Sequence, residues 1–94
     1  SPGEIEDLLH QHPAIQDVAA VGIPSEEWGE AVALAVVLVK GAEITEEEIC
    51  DHIRGHLRSS RVPQVIRFFS ELPYNETGKL LRRIIGEWFN SKSA

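Results

Sequence analysis

The sequence predicts a small α+β domain, a three-stranded sheet with helices packed on it in the order α-β-β-α-β-α. Three observations carry this expectation. Apolar residues recur at helical spacing in three segments, marked by Ile5/Leu8/Leu9, by Ile49/Ile53/Leu57 and by Leu80/Leu81/Ile84/Ile85/Trp88/Phe89. Between them lie three runs of strand-forming residues bounded by Gly, Pro or polar clusters. The chain of 94 residues is 43% hydrophobic and 26% charged, the composition of a single globular domain, which excludes a disordered tail.

Each element has its own signals. Residues 1–11 read as a helix with Ser1 as N-cap, Pro2 at the first helical position and Glu4 three on from the cap; His12-Pro13 ends it. Residues 15–23 form a strand closed by Gly22 and Pro24, and residues 25–29 a loop that carries Trp28. Residues 31–39 are wholly apolar with four valines, as a central strand covered on both faces requires. Thr45 and Glu48 form a capping box, with acids in the first turn of a helix over 46–58. Residues 59–63 connect it to a strand over 65–69. A turn-rich loop over 72–78 leads to a last helix over 79–89.

Charge and composition exclude several functions. A net charge of −6, from 15 acids against 9 bases, argues against a nucleic-acid partner. The longest apolar run, residues 31–39, is too short to span a membrane. One cysteine, Cys50, cannot form an internal disulfide and favours a reducing compartment. The first residues are neither a signal peptide nor an initiating Met, and a chain that opens on a helix cap is expected to be a piece of a longer protein.

The stretch from Leu72 to Arg83, LPYNETGKLLRR, is where chemistry is concentrated. It delivers Lys79 to the expected first turn of a helix, where exposed N–H groups favour anions and a lysine adds a mobile charge. Gly78 permits positive φ or a close ligand approach. The plainer reading of the same residues is a helix capped by Thr77 with an ordinary surface lysine. Elsewhere, His52 and His56 stand four apart on a helix and invite a metal reading. The position after His52 is Ile53, where a helical zinc protease needs glutamate, and Cys50 points away from His52, so no metal site is expected. Asn75-Glu76-Thr77 matches a glycosylation sequon, which without a secretory signal is accidental.

The segment resembles the C-terminal lysine motif of the adenylate-forming superfamily, which comprises acyl-CoA synthetases, adenylation domains and luciferases. The matching residues are Pro73, the Gly78-Lys79 pair and Arg82-Arg83. The opening, with Pro2, Glu4-Ile5-Glu6, an apolar strand and the Trp28-Gly29-Glu30 step, is similar to the family's stretch just after its hinge, so the resemblance covers nearly the whole chain. The hinge itself and the strand lining the family's thiol tunnel would lie before Ser1. Where many CoA ligases carry an aromatic-Lys-Val-Pro step, this chain has Ser60-Arg61-Val62-Pro63.

The resemblance implies that residues 1–94 are a mobile C-terminal lid on a larger enzyme, most like an acyl-CoA synthetase. Its N-terminal domain, outside this chain, would bind ATP, Mg2+ and a carboxylic acid. Lys79 would serve formation of the acyl-adenylate with release of pyrophosphate, after which the lid rotates to let CoA form the thioester. Thr77 and Gly78 would flank the nucleotide, with Arg58, Arg61 and Trp28 as further nucleotide or substrate contacts and Arg67 beside the arginines as a candidate for CoA phosphates. Lys79 is also the position at which a lysine acyltransferase and deacylase would regulate the family's enzymes, since acylation removes the charge. The isolated chain is expected to be inactive, and a cytoplasmic address is the default. Two alternatives stand beside this: an adenylation domain that loads a carrier protein, and a non-catalytic αβ interaction module.

Overall fold

The computed structural model describes residues 2–27, 29–58 and 62–90. Ser1 as a cap, Trp28, the connector residues Ser59, Ser60 and Arg61, and the last four residues lie outside the described ones. The element order is the expected one: α1 (Pro2–His10), β1 (Ile15–Ser25), β2 (Gly29–Leu38), α2 (Glu46–His56), β3 (Val65–Phe68) and α3 (Arg82–Asn90).

The three strands form one mixed sheet in the order β1-β2-β3. β1 pairs antiparallel with β2 and β3 pairs parallel with it, α2 forming the crossover. β2 is therefore central, and its alternating residues feed two cores. Leu34 and Val36 pack with Ile5, Leu9, Ile49 and Ile53 of α1 and α2 on one face. Ala33, Ala35 and Val37 pack with Leu72 and Ile85 on the other, where Phe69, Leu80, Trp88 and Phe89 close the layer. This explains why the strand reads as a continuous apolar run.

Two boundaries differ from the sequence reading for identifiable reasons. β1 continues through Pro24 to Ser25, pairing Pro24 with Glu30. It is an edge strand, so the missing proline N–H costs no ladder bond on its open side. The turn that follows begins at Glu26, and Gly29, the first residue of β2, takes φ 78°. The capping box on α2 is formed as expected: Thr45 Oγ1 accepts from the Glu48 N–H at 3.0 Å, and the Thr45 N–H donates to Glu48 Oε1 at 2.8 Å. The Thr45 N–H, and after it the Thr45 hydroxyl, hold the exposed Glu48 carboxyl below its usual pKa.

The third difference bears on function. The last helix begins at Arg82, not at residue 79. Residues before it run back along Pro73 and Tyr74 in a short hairpin, with Tyr74 bridging Leu80 antiparallel and the Leu81 N–H donating to the Pro73 carbonyl at 2.9 Å. The apolar period that suggested an earlier start is real, but Leu80 contributes to the core from an extended segment.

Candidate functional site: the Lys79 hairpin

Lys79 stands at the far side of a tight turn. The Gly78 N–H donates to the Asn75 carbonyl at 3.0 Å, closing a β-turn over Asn75-Glu76-Thr77-Gly78. Gly78 then takes φ +85°, a conformation that an L side chain resists, and the Asn75 N–H donates to the Lys79 carbonyl at 2.9 Å. The Asn75 carboxamide fills the turn. Its Oδ1 accepts from the Thr77 N–H at 2.9 Å, the Thr77 hydroxyl at 2.8 Å and the Lys79 N–H at 2.9 Å. Thr77 is therefore a loop residue bound to Asn75 and does not cap a helix, and Lys79 is not in a helical first turn.

Two side-chain contacts fix the base of this hairpin to the rest of the fold. On one arm the Tyr74 hydroxyl donates to Asp17 Oδ2 at 2.6 Å. Asp17 sits at the irregularity that opens β1, where its Oδ1 accepts from the Val18 N–H at 2.9 Å and meets His10 Nε2 at 3.2 Å. The bond to Asp17, burial and the nearby carboxylate charge push the Tyr74 phenol up to about 12. On the other arm, Arg82 forks onto Glu6 of α1. Its Nη2 donates to Oε1 at 2.9 Å, while Nη1 donates to Oε2 and to the Ala20 carbonyl at 3.2 Å. The Ala20 N–H completes the set, donating to Oε2 at 2.7 Å.

Glu6 is only 8% exposed, the one buried charged residue among those described. Burial pushes its carboxyl up, but the Arg82 hydrogen bonds, the Ala20 N–H and the Arg82 charge together outweigh that and hold it below the ordinary value. A bidentate arginine is the side chain suited to such a carboxylate. Asp17 did not stand out in the sequence, and Glu6 did so only as a letter of the opening motif, with no partner assigned. Glu6 flanks the Ile5/Leu9 stripe without breaking it. The available signal was two arginines opening a helix, where the dipole disfavours cations unless an acid answers them.

The result is a cation on a rigid, exposed tip. Lys79 is exposed, and among the described residues its ammonium has no ion-pair partner. It lines one open groove with Leu80, Leu81, Arg82, Arg83 and Ile84. Of the three positive side chains along this edge, Arg82 is paired with Glu6 and Arg83 with Glu87 at 3.1 Å, which leaves the Lys79 ammonium as the cation open to an anion among the described residues.

Comparison with known proteins decides which family builds such a hairpin. Residues 4–79 match the family described as the AMP-binding enzyme C-terminal domain. The chain belongs to that family. A long-chain-fatty-acid–CoA ligase of Escherichia coli O6:H1 is 48% identical over 82 residues, covering 87% of this chain and 14% of that protein. An oxalate–CoA ligase of Saccharomyces cerevisiae is 38% identical over 93 residues, covering 99% of this chain and 17% of its own length. The crystal structure of an acyl-CoA synthetase of Brucella canis superposes with a TM-score of 0.88 at 32% identity, over 99% of this chain and 18% of the other. This AMP-binding enzyme C-terminal domain thus spans less than a fifth of the proteins it resembles.

Of the other positions singled out in the sequence, the described Arg58 and Arg67 are not gathered around Lys79. Arg58 is exposed just past the end of α2, in the layer that covers the α1/α2 face of the sheet. Arg67 is engaged within the domain: its Nη1 donates to the Trp88 carbonyl near the end of α3 at 3.1 Å, and its guanidinium lies 5.7 Å from the Phe89 ring centroid. Arg61 and Trp28 lie outside the described residues. His52 and His56 do meet, with ring centroids 4.3 Å apart, and His12 lies 5.1 Å from His52. His12 Nδ1 accepts from the Ala14 N–H, which places its proton on Nε2 and unsuits that nitrogen as a ligand. Among the described residues no group of three or more His, Cys, Asp or Glu could hold a metal ion, and no helix is long and apolar enough to cross a membrane.

Proposed function

We propose that this domain is the C-terminal lid of an AMP-forming acyl-CoA synthetase and that Lys79 is its adenylation lysine. The observation that carries the reading is the exposed ammonium of Lys79, without an ion-pair partner among the described residues, on a hairpin braced at both arms, in a chain that belongs to the AMP-binding enzyme C-terminal family. The relatives, CoA ligases for a long-chain fatty acid and for oxalate, support a carboxylic acid as substrate and CoA as acceptor.

In this reading a separate N-terminal domain of the same protein binds ATP, Mg2+ and the acid. The carboxylate oxygen attacks the α-phosphorus, the P–O bond to pyrophosphate breaks, and acyl-adenylate forms. Lys79 reaches from the closed lid to the carboxylate and phosphate oxygens, where negative charge must be brought together and redistributed. A preplaced cation in a site dried by closure lowers that barrier without reorganising solvent. Thr77 and Gly78 flank it on the nucleotide side; Gly78, with no Cβ and nothing within 4 Å of where one would stand, lets substrate approach the backbone. The lid then turns away, withdrawing Lys79, and the CoA sulfur attacks the acyl carbon with AMP leaving. Arg58, Arg61 and Trp28 are kept in this reading as further nucleotide or substrate contacts. Acylation of Lys79 would neutralise the cation and block the first step, which makes the same residue the site for regulation by a lysine acyltransferase and deacylase. The single free Cys50 is in keeping with a cytoplasmic address.

The test is made on the full-length protein. Supplied with a panel of carboxylic acids, ATP and Mg2+, it is expected to exchange labelled pyrophosphate into ATP only when an acid is present, and to yield acyl-CoA and AMP when CoA is added. Exchange without thioester on addition of CoA, but with loading of a carrier protein, would replace CoA by the carrier. No acid-dependent exchange with any acid would leave a non-catalytic interaction module.

A further inference from the structure

We infer that Asn75 is the positioning residue of Lys79, an inference that rests on the role proposed above for the lysine. Both backbone polar groups of Lys79 go to this one residue: its N–H donates to Asn75 Oδ1 at 2.9 Å, and its carbonyl accepts from the Asn75 N–H at 2.9 Å. The same Oδ1 takes the Thr77 N–H and the Thr77 hydroxyl, so a single carboxamide oxygen gathers three donors from across the turn. An Asx turn of this kind substitutes a side chain for a missing backbone bond and rigidifies the loop tip.

The need follows from the lysine itself. Its ammonium sits on a flexible four-carbon stem, and the side chain has no partner among the described residues to hold it. What the domain controls is where the Lys79 Cα stands and which way its Cα–Cβ bond points. Tyr74–Asp17 and Arg82–Glu6 fix the two arms at the base. Between those anchors and the tip, the Asn75 carboxamide is the side chain that ties the arms together. It does so without charge. An aspartate in its place accepts the same three hydrogen bonds but sets a negative charge on the turn that carries Lys79, close to where an anionic substrate must come.

Asn75 is predicted to touch neither acid nor nucleotide, so its effect should pass through the turn that it holds, chiefly through Lys79 with Thr77 beside it. In the full-length enzyme, Asn75→Ala is expected to lower acid-dependent pyrophosphate exchange between about ten- and a hundredfold. Thioester formation from supplied acyl-adenylate should be unchanged. Asn75→Ser, which returns a hydroxyl acceptor to the turn, should recover part of the loss, and it carries the same comparison should Asn75→Ala fail to fold. Asn75→Asp should keep the thermal unfolding midpoint of the wild type yet still lose exchange. In a Lys79→Ala background, Asn75→Ala should add little. Wild-type exchange in Asn75→Ala, an equal loss in both half-reactions, or full additivity with Lys79→Ala would each overturn the inference while leaving the lysine's role intact. Exchange that survives Lys79→Ala alone would remove the lysine's role, and this inference with it.

Discussion

Removing the Arg82 guanidinium tests how far a buried carboxylate organises this domain. The Glu6 side chain is 11% exposed and that of Arg82 is 51% exposed, so the pair is buried on the glutamate side only. Arg82→Ala leaves the Glu6 carboxylate with the Ala20 N–H as its one described donor. Breaking a fully buried pair costs about 3–5 kcal/mol, and the half-exposed arginine reduces this to about 2 kcal/mol at neutral pH. In a domain of this size that is a drop of about 8–16 °C in the unfolding midpoint. The pH dependence carries a sign. The folded-state value of Glu6 lies below the unfolded one of 4.5, so its stabilisation is present above about pH 4.5 and is lost as pH falls through the lowered folded value. In Arg82→Ala burial acts unopposed by the guanidinium, the carboxyl protonates earlier, and the penalty shrinks on acidification. Urea unfolding of both forms from about pH 7 to about pH 3 reads the difference directly. A gap below about 0.5 kcal/mol at neutral pH, or one that does not narrow in acid, would refute the reasoning.

Other groups give independent checks. Tyr74 is the single tyrosine, so ultraviolet titration of the chain reports it alone: ionisation should wait until about pH 12 and return towards the ordinary value of 10 in Asp17→Asn. Because the folded value is raised, the Asp17–Tyr74 contribution holds below about pH 10 and is lost as pH rises through about 12. Burial, with the His56 and His12 charges, lowers His52, so its folded form resists protonation. Stability should therefore fall as pH drops below the unfolded value of about 6.5, and His52→Gln should flatten that dependence in urea titrations. Gly78→Ala forces an L side chain into φ +85° and should cost about 1–2 kcal/mol, read as a lower urea midpoint.

Most of the fold was legible because its signals are local. The valine-rich strand, the Thr45–Glu48 capping box and the three apolar stripes each report their own element, and β2 is central for the reason its composition suggests. The segment that carries Lys79 stood out in the sequence, but its geometry did not. Helical periodicity through Leu80 and Leu81 suggested a helix starting at Lys79, yet Leu80 reaches the core from an extended segment. A competing pattern was present in the same letters. Asn at the first position of a turn and Gly at the fourth, flanked by Tyr74 and Leu80, is the signature of the hairpin that forms. What Glu6, Asp17 and Arg82 do was hidden for a different reason: it lies in pairings 57 and 76 residues apart in sequence, which no local window contains.

The central claim is that Lys79 serves the first half-reaction, and the most direct measurement is a comparison of wild type with Lys79→Ala in the full-length protein. Acid-dependent pyrophosphate exchange should fall by about a hundredfold or more, on the order of 3 kcal/mol in the barrier, while thioester formation from supplied acyl-adenylate is spared. Unchanged exchange would contradict the account and leave Lys79 an ordinary surface lysine on a well-made turn.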